Sequence, residues 1–382
     1  MIYLDNAATS FPKPKQVIDA VAHYLNEIGA NPGRAAYALA REASKIIDRT
    51  RRSLATLLGN VEPSCILCTP STTVALNLAF KGLLHSGDHV VTTSMEHNSV
   101  MRPLHGLQKL GISHSQIPCS PSGELDPADI SPLIRPQTRL IALIHGSNVT
   151  GNLMPVSEVG KIARDHDIPL LVDAAQTMGK IPIDPQESNI DLLAGPGHKG
   201  LLGPMGTGFL YVRPGLALEP LWEGGTGTYS ESMEQPETWP ERFESGTLNA
   251  PGLAGLAAGI AEIQNLGLEA IAAHEQSLIE SLAAGLSQLP GIILYGPPDK
   301  SLCTSTLSFN VQELDSSEVA HILDTAYAIA VRSGLHCAPA AHRTINTFPH
   351  GTVRVSVGPY NTQEDIDTLV GAVSEIIKLR RG

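Results

Sequence analysis

Two short runs, Arg139–His145 and Pro169–Val172, are aliphatic almost without interruption, the first reading Leu140-Ile141-Ala142-Leu143-Ile144 at its heart. A strand with one wet face alternates apolar and polar residues, so runs this uniform must be covered on both faces. Helical patterns lie between such runs. His89–Thr93 reads as a strand, Val100–Leu110 as a helix and Val156–Asp167 as another. Buried strands alternating with helices predict an α/β fold with a mainly parallel sheet covered on both sides. In such sheets ligands gather beyond the carboxyl ends of the strands.

The rest of the chain extends this plan. A short extended segment opens it, followed by helices from about Lys15 to Glu27 and, past Asn31-Pro32-Gly33, through about Leu58. Cys65–Thr69 reads as a strand, Pro70-Ser71-Thr72-Thr73 as a turn, and the stretch toward Leu84 as a helix; Phe209–Val212 is a further strand. Pro214 to Pro240, rich in Gly, Pro and Glu, reads as an irregular crossing segment, and Leu253–Leu289 as one long Ala/Leu-rich helical stretch. The pattern then changes to strands at Thr304–Val311, Ile329–Val331 and Thr352–Val357 around a helix at Glu318–Asp324. A last helix begins at Thr362, with Asp365 placed for a capping box. We therefore assign residues 14–255 to a large domain, and 1–13 with 256–382 to a smaller α+β domain.

Composition excludes several classes. A formal charge of −12 leaves no basic surplus for nucleic-acid phosphates. No run approaches the ~18 apolar residues of a membrane helix, and the first residues show no signal-peptide core. Five cysteines are an odd and sparse count, fitting a reducing cytoplasm better than a disulfide framework. Cys65 and Cys68 form a C-x-x-C inside a strand pattern with no second pair, which favours core thiols over a metal site.

Four polar clusters fall just after predicted strands, and each has an ordinary explanation when taken alone. Lys199, in Gly195-Pro196-Gly197-His198-Lys199-Gly200, is either a loop lysine or one whose glycine neighbours admit a flat ligand for a Schiff base. Asp173, in Val172-Asp173-Ala174-Ala175-Gln176, either caps the next helix or holds a pyridinium nitrogen. Ser71-Thr72-Thr73 is an N-cap or a phosphate seat. His97, in Met95-Glu96-His97-Asn98, is an incidental loop histidine or a ring that stacks on a cofactor.

Their order resolves the ambiguity. Ser-Thr-Thr, Met-Glu-His, Ser147-Asn148, Val-Asp-Ala-Ala-Gln, Gly-His-Lys and Arg332-Ser333-Gly334-Leu335-His336-Cys337-Ala338-Pro339 together resemble the cysteine desulfurases that depend on pyridoxal 5′-phosphate (PLP). These belong to the class V aminotransferase group, and the cysteine segment is similar to the group II, selenocysteine-lyase-like branch. The resemblance spans nearly the whole chain and implies a type I PLP-dependent transferase fold, with a seven-stranded type of sheet.

By position it implies Lys199 as cofactor anchor and proton carrier, Asp173 at the ring nitrogen, Gln176 at the ring oxygen and His97 over the ring. Thr72, Thr73 and His198 would hold the phosphate. Thr247 would reach it from a partner subunit, which implies a homodimer. Asn148, Arg332 and Arg354 would take the substrate carboxylate. Cys337 would receive the sulfur of L-cysteine as a persulfide and leave alanine, with His336 and Arg332 favouring its thiolate. A sulfur-acceptor protein, serving iron–sulfur cluster or thio-cofactor assembly, would follow.

Pro196 stands where the family often has serine, and Gly33 and Tyr37 stand where the branch usually has histidines. A selenocysteine lyase, a cysteine-sulfinate desulfinase and a catalytically silent scaffold remain as alternatives. A silent scaffold requires none of Lys199, Asp173, Arg354 and Cys337.

Overall fold

The computed structural model describes residues 1–33 and 37–381; residues 34–36, between Gly33 and Tyr37, and residue 382 lie outside the described residues. Seven strands form the main sheet, in the spatial order Ile66–Thr69, Gly208–Val212, Leu192–Pro196, Leu170–Asp173, Thr138–Ile144, His89–Thr93, Ser113–Ile117. All neighbours pair in parallel except those of Gly208–Val212, which runs against both. The predicted aliphatic runs are the central strands. Leu140, Leu171, Leu192 and Leu210 pack against one helical layer, while Ile141, Val172 and Leu193 pack against the other.

Two of these strands escaped the sequence reading. Ser113–Ile117 reads Ser-His-Ser-Gln-Ile and is largely solvent-facing, because it closes the sheet at an edge. Leu192–Pro196 is fully buried, but its Gly195-Pro196 end carries the composition of a turn and masks the strand in the sequence.

The long helical stretch is two helices. Ala250–Leu266 ends at Gly267, whose φ of 84° breaks the ladder, and Leu268–Ser287 follows. The first packs on the helices Lys15–His23 and Ala38–Leu57, the second on the last helix, Gln363–Arg381. Residue 255, where the sequence reading draws its boundary, lies within the helix Ala250–Leu266. The smaller unit is an antiparallel sheet, Arg332–Gly334, Thr352–Ser356, Thr306–Val311, Ile292–Tyr295, with its own core around Phe309, Leu323, Val355 and Leu369. The capping box of the last helix is formed: Thr362 N donates to Asp365 Oδ2 at 2.9 Å, and Asp365 N to Thr362 Oγ1 at 3.3 Å.

Buried polar contacts join the units beside the lysine turn. Lys180 Nζ lies 3.1 Å from Glu275 Oε2, donates to Val357 O at 3.2 Å, and also reaches Ser305 Oγ. Among the described residues, no helix is long and apolar enough to cross a membrane.

Candidate active site

One pocket opens at the carboxyl ends of the parallel strands. Its walls bring together Thr72, Thr73, His97, Asn148, Asp173, Gln176, His198 and Lys199, and also Ser71 and Pro196. The lysine turn leaves the strand Leu192–Pro196 at the pocket floor. Gly200 is required there, because a Cβ would collide with the carbonyl oxygen of Met178. Burial is the main force lowering the Lys199 amine to about 8, aided by Arg354 and opposed by Asp173. A lysine so depressed supplies neutral amine near physiological pH. PLP uptake by the cofactor-free protein should therefore rise roughly tenfold between about pH 7 and pH 9 and then level off. Stopped-flow absorbance measures it, and a rate still climbing beyond pH 10 would contradict this assignment.

Asp173 is buried, and burial raises its carboxyl, while Ala175 N (2.9 Å) and the charge of Lys199 pull it back. His97 caps the helix Asn98–Leu107. Its Nδ1 accepts from Ser99 N at 3.0 Å, so the ring hydrogen sits on Nε2. Burial, then Lys199 and the neighbouring arginines, lowers the imidazole to about 4, so it is neutral at pH 7. Thr73 Oγ1 lies 2.8 Å from Ser99 Oγ, which is 3.0 Å from His97 Nδ1, tying the ring to the helix Thr72–Leu83. That helix starts at Ser71, whose hydroxyl accepts from Val74 N, and its N-terminal residues Ser71, Thr72 and Thr73 line the pocket.

Two further donors are committed elsewhere. Gln176 Nε2 donates to Ala7 O at 3.1 Å, and Asn148 Nδ2 to His336 O at 2.7 Å. Asn148 therefore ties the cysteine loop to the pocket. The buried Thr72 Oγ1 and Asn148 Oδ1 have no hydrogen-bond partner. Unpartnered buried polar atoms, a helix N-terminus, an amine of lowered basicity and a buried carboxyl in one pocket fit a phosphorylated pyridine aldehyde.

Cys337 is exposed and lines a groove with Thr73, His97, Ser99 and Arg102, the first three of which also line the Lys199 pocket. His336 and Cys337 both have positive φ, 47° and 57°. Such strain costs about 1–2 kcal/mol per residue. It is held by Asn98 N donating to Cys337 O at 2.8 Å and by the Asn148 contact. The expected help from His336 is not available. Its ring is buried with Nε2 3.1 Å from both Thr352 O and Thr352 Oγ1, and burial with nearby Arg354 lowers it to about 2, leaving it uncharged.

Arg354 lies directly opposite Arg332 across the small sheet. Its guanidinium donates to Asp5 Oδ1 at 2.6 Å and to Asn148 O at 3.1 Å, while Nε is buried without a partner. Two of its donors are thus taken by the protein, an arrangement hidden from the sequence because Asp5 lies at the far end of the chain. Thr247 is exposed and lines a separate hollow with Trp222, Phe243 and Leu248, outside the Lys199 pocket of its own chain. Cys65 and Cys68 are buried core thiols, as expected.

The fold and pocket define a PLP-dependent enzyme of the aminotransferase type, and residues 2–369 match the aminotransferase class-V family. The chain is 38% identical to a probable cysteine desulfurase of Methanothermobacter thermautotrophicus, over 98% of this chain and 94% of that relative. It is 34% identical to a cysteine desulfurase of Escherichia coli O127:H6, over 99% and 94%. A solved cysteine desulfurase from Thermococcus onnurineus NA1 superposes with a TM-score of 0.94 at 37% identity, covering 99% of this chain and 94% of its own. The chain belongs to the class V aminotransferase family, among its PLP-dependent cysteine desulfurases.

Proposed function

We propose that this protein converts L-cysteine to L-alanine and carries the released sulfur as a persulfide on Cys337. The observation that carries the reading is the shared wall: an exposed cysteine and a depressed lysine stand on two sides of His97, Thr73 and Ser99. When bound, PLP supplies an electron sink that weakens the bonds around the substrate Cα and Cβ.

The protein's own groups do the rest. Lys199 anchors the cofactor, and its amine then moves the proton of the substrate Cα. Asp173 holds the ring nitrogen protonated, and its negative charge is favoured by that cation once present. Thr72, Thr73, His198 and the N-terminus of the helix Thr72–Leu83 would hold the phosphate, and Gln176, whose Nε2 keeps a second hydrogen beside the one given to Ala7 O, would serve the ring oxygen. His97, neutral and protonated on Nε2, would cover the ring and offer a hydrogen. Asn148, Arg332 and Arg354 frame the carboxylate end. The Cys337 thiolate attacks the substrate sulfur; the new S–S bond forms as the Cβ–S bond breaks, and Cβ takes up a proton to give alanine.

The exposure of Thr247 away from its own pocket supports a homodimer in which it reaches the partner's phosphate. The open groove at Cys337 supports delivery to a sulfur-acceptor protein, for iron–sulfur cluster or thio-cofactor assembly in a reducing cytoplasm. The PLP-loaded protein should release alanine from L-cysteine, read by a coupled alanine assay. A loaded protein that releases none would overturn the reading.

A further inference from the structure

Three residues of the opening segment converge on a single acceptor. The carbonyl oxygen of His198 receives the Thr9 hydroxyl at 3.0 Å, the Ser10 amide at 3.1 Å, the Ser10 hydroxyl at 3.2 Å and the Lys13 ammonium at 2.8 Å. Lys13 Nζ also donates to Ser10 Oγ at 2.7 Å. That carbonyl belongs to the peptide leading into Lys199. The turn is pinned on its other side by Gly197 N donating to Thr207 O at 2.8 Å and by Gly203 N donating to Gly197 O at 2.7 Å. The His198 ring is bound to the same segment, with Nδ1 3.1 Å from Thr9 Oγ1.

Lysines ordinarily keep their ammonium in water. Lys13 is instead half-buried, its acceptors are neutral oxygens, and burial lowers it to about 8. A desolvated ammonium bonded only to neutral groups is a cost that general surface chemistry does not explain. A carbonyl has two lone pairs, and a charged donor is the strongest of the four competing for them. The charge is thus spent on one peptide.

We propose that Lys13 is a positioning residue, whose ammonium fixes the His198–Lys199 peptide so that the Lys199 amine and the His198 ring keep their places in the pocket. The proposal rests on Lys199 as the cofactor anchor. The aliphatic stem of Lys13 and the two prolines flanking it, Pro12 and Pro14, restrict the segment that presents the ammonium.

The test uses Lys13→Met, Lys13→Arg and Ser10→Ala in the full chain. Hydrogen exchange of the peptide covering 197–201 is measured without cofactor, and PLP loss from the holoenzyme is measured into a trap. In Lys13→Met the 197–201 exchange and the PLP loss should both quicken roughly tenfold or more, the worth of one charge-assisted hydrogen bond. kcat should fall with KM for cysteine held within about twofold. Lys13→Arg should recover most of each effect, and Ser10→Ala should show a smaller version of them.

Wild-type exchange and PLP retention in Lys13→Met would overturn the proposal. So would faster exchange spread evenly over the chain, the mark of a merely structural residue. If Lys13→Met does not fold, unchanged 197–201 exchange in Ser10→Ala overturns it equally. Faster exchange in a chain whose wild type takes up no PLP would remove the cofactor reading and leave the Lys13 contact standing.

Discussion

Replacing Lys199 by alanine is expected to give a folded protein with no cofactor colour and cysteine turnover lowered at least ~1,000-fold, because anchor and proton carrier vanish together. The fold should survive because the turn does not depend on the side chain. Gly200 and Gly203 pack against backbone carbonyls, the Gly203 amide bonds Gly197 O at 2.7 Å, and Leu201 and Leu202 are buried in the large core. Removing a half-buried amine near Arg354 and Arg332 also relieves charge repulsion, so melting should move little or upward. The check is the visible spectrum after PLP addition and dialysis, together with alanine release. A variant that retains both the yellow band and turnover would remove Lys199 from the chemistry.

Cys337→Ser should separate the two halves of the reaction. PLP binding and melting should be those of the wild type, since Cys337 is exposed and lies outside the Lys199 pocket. Persulfide formation should be abolished, and cysteine turnover cut by a factor of at least ~100, because a serine hydroxyl is not a competent sulfur nucleophile. The other cysteines cannot take over. Burial pushes the thiols of Cys68 up to about 12 and of Cys119 and Cys303 to about 11, and raises Cys65 as well. Thiols so raised carry almost no thiolate at neutral pH. Retained persulfide in Cys337→Ser, found by labelling and peptide mapping, would mean that another group receives the sulfur.

The contrast between these cysteines shows what the sequence made legible. Cys65 and Cys68 bound the continuous apolar run Cys65-Ile66-Leu67-Cys68, and Cys337 sits in a loop with Gly334, His336 and Pro339, so core and surface thiols could be told apart by pattern. The central strands were equally readable, since Leu140–Ile144 and Leu170–Val172 admit only a doubly covered sheet. Asp173 followed as a strand-end position, whereas the strand that delivers the lysine turn, Leu192–Pro196, was not legible. What stayed hidden depends on partners distant in the chain. The neutrality of His336 comes from burial against Thr352 and Arg354, and the Arg354 fork is divided between Asp5 and the Asn148 carbonyl. The donors on His198 O come from the chain's first turn. No local spacing encodes such contacts. The break at Gly267 was hidden for a different reason: Ala and Leu continue on both sides of one glycine, and composition alone reads straight through it.

The central claim is that sulfur leaves cysteine for Cys337. The most direct measurement incubates the PLP-loaded protein with L-cysteine without oxygen or added thiol, then determines alanine formed and the mass of the peptide carrying Cys337. The account predicts one alanine for each Cys337 peptide that gains one sulfur atom. Alanine formed while that peptide keeps its original mass would contradict it.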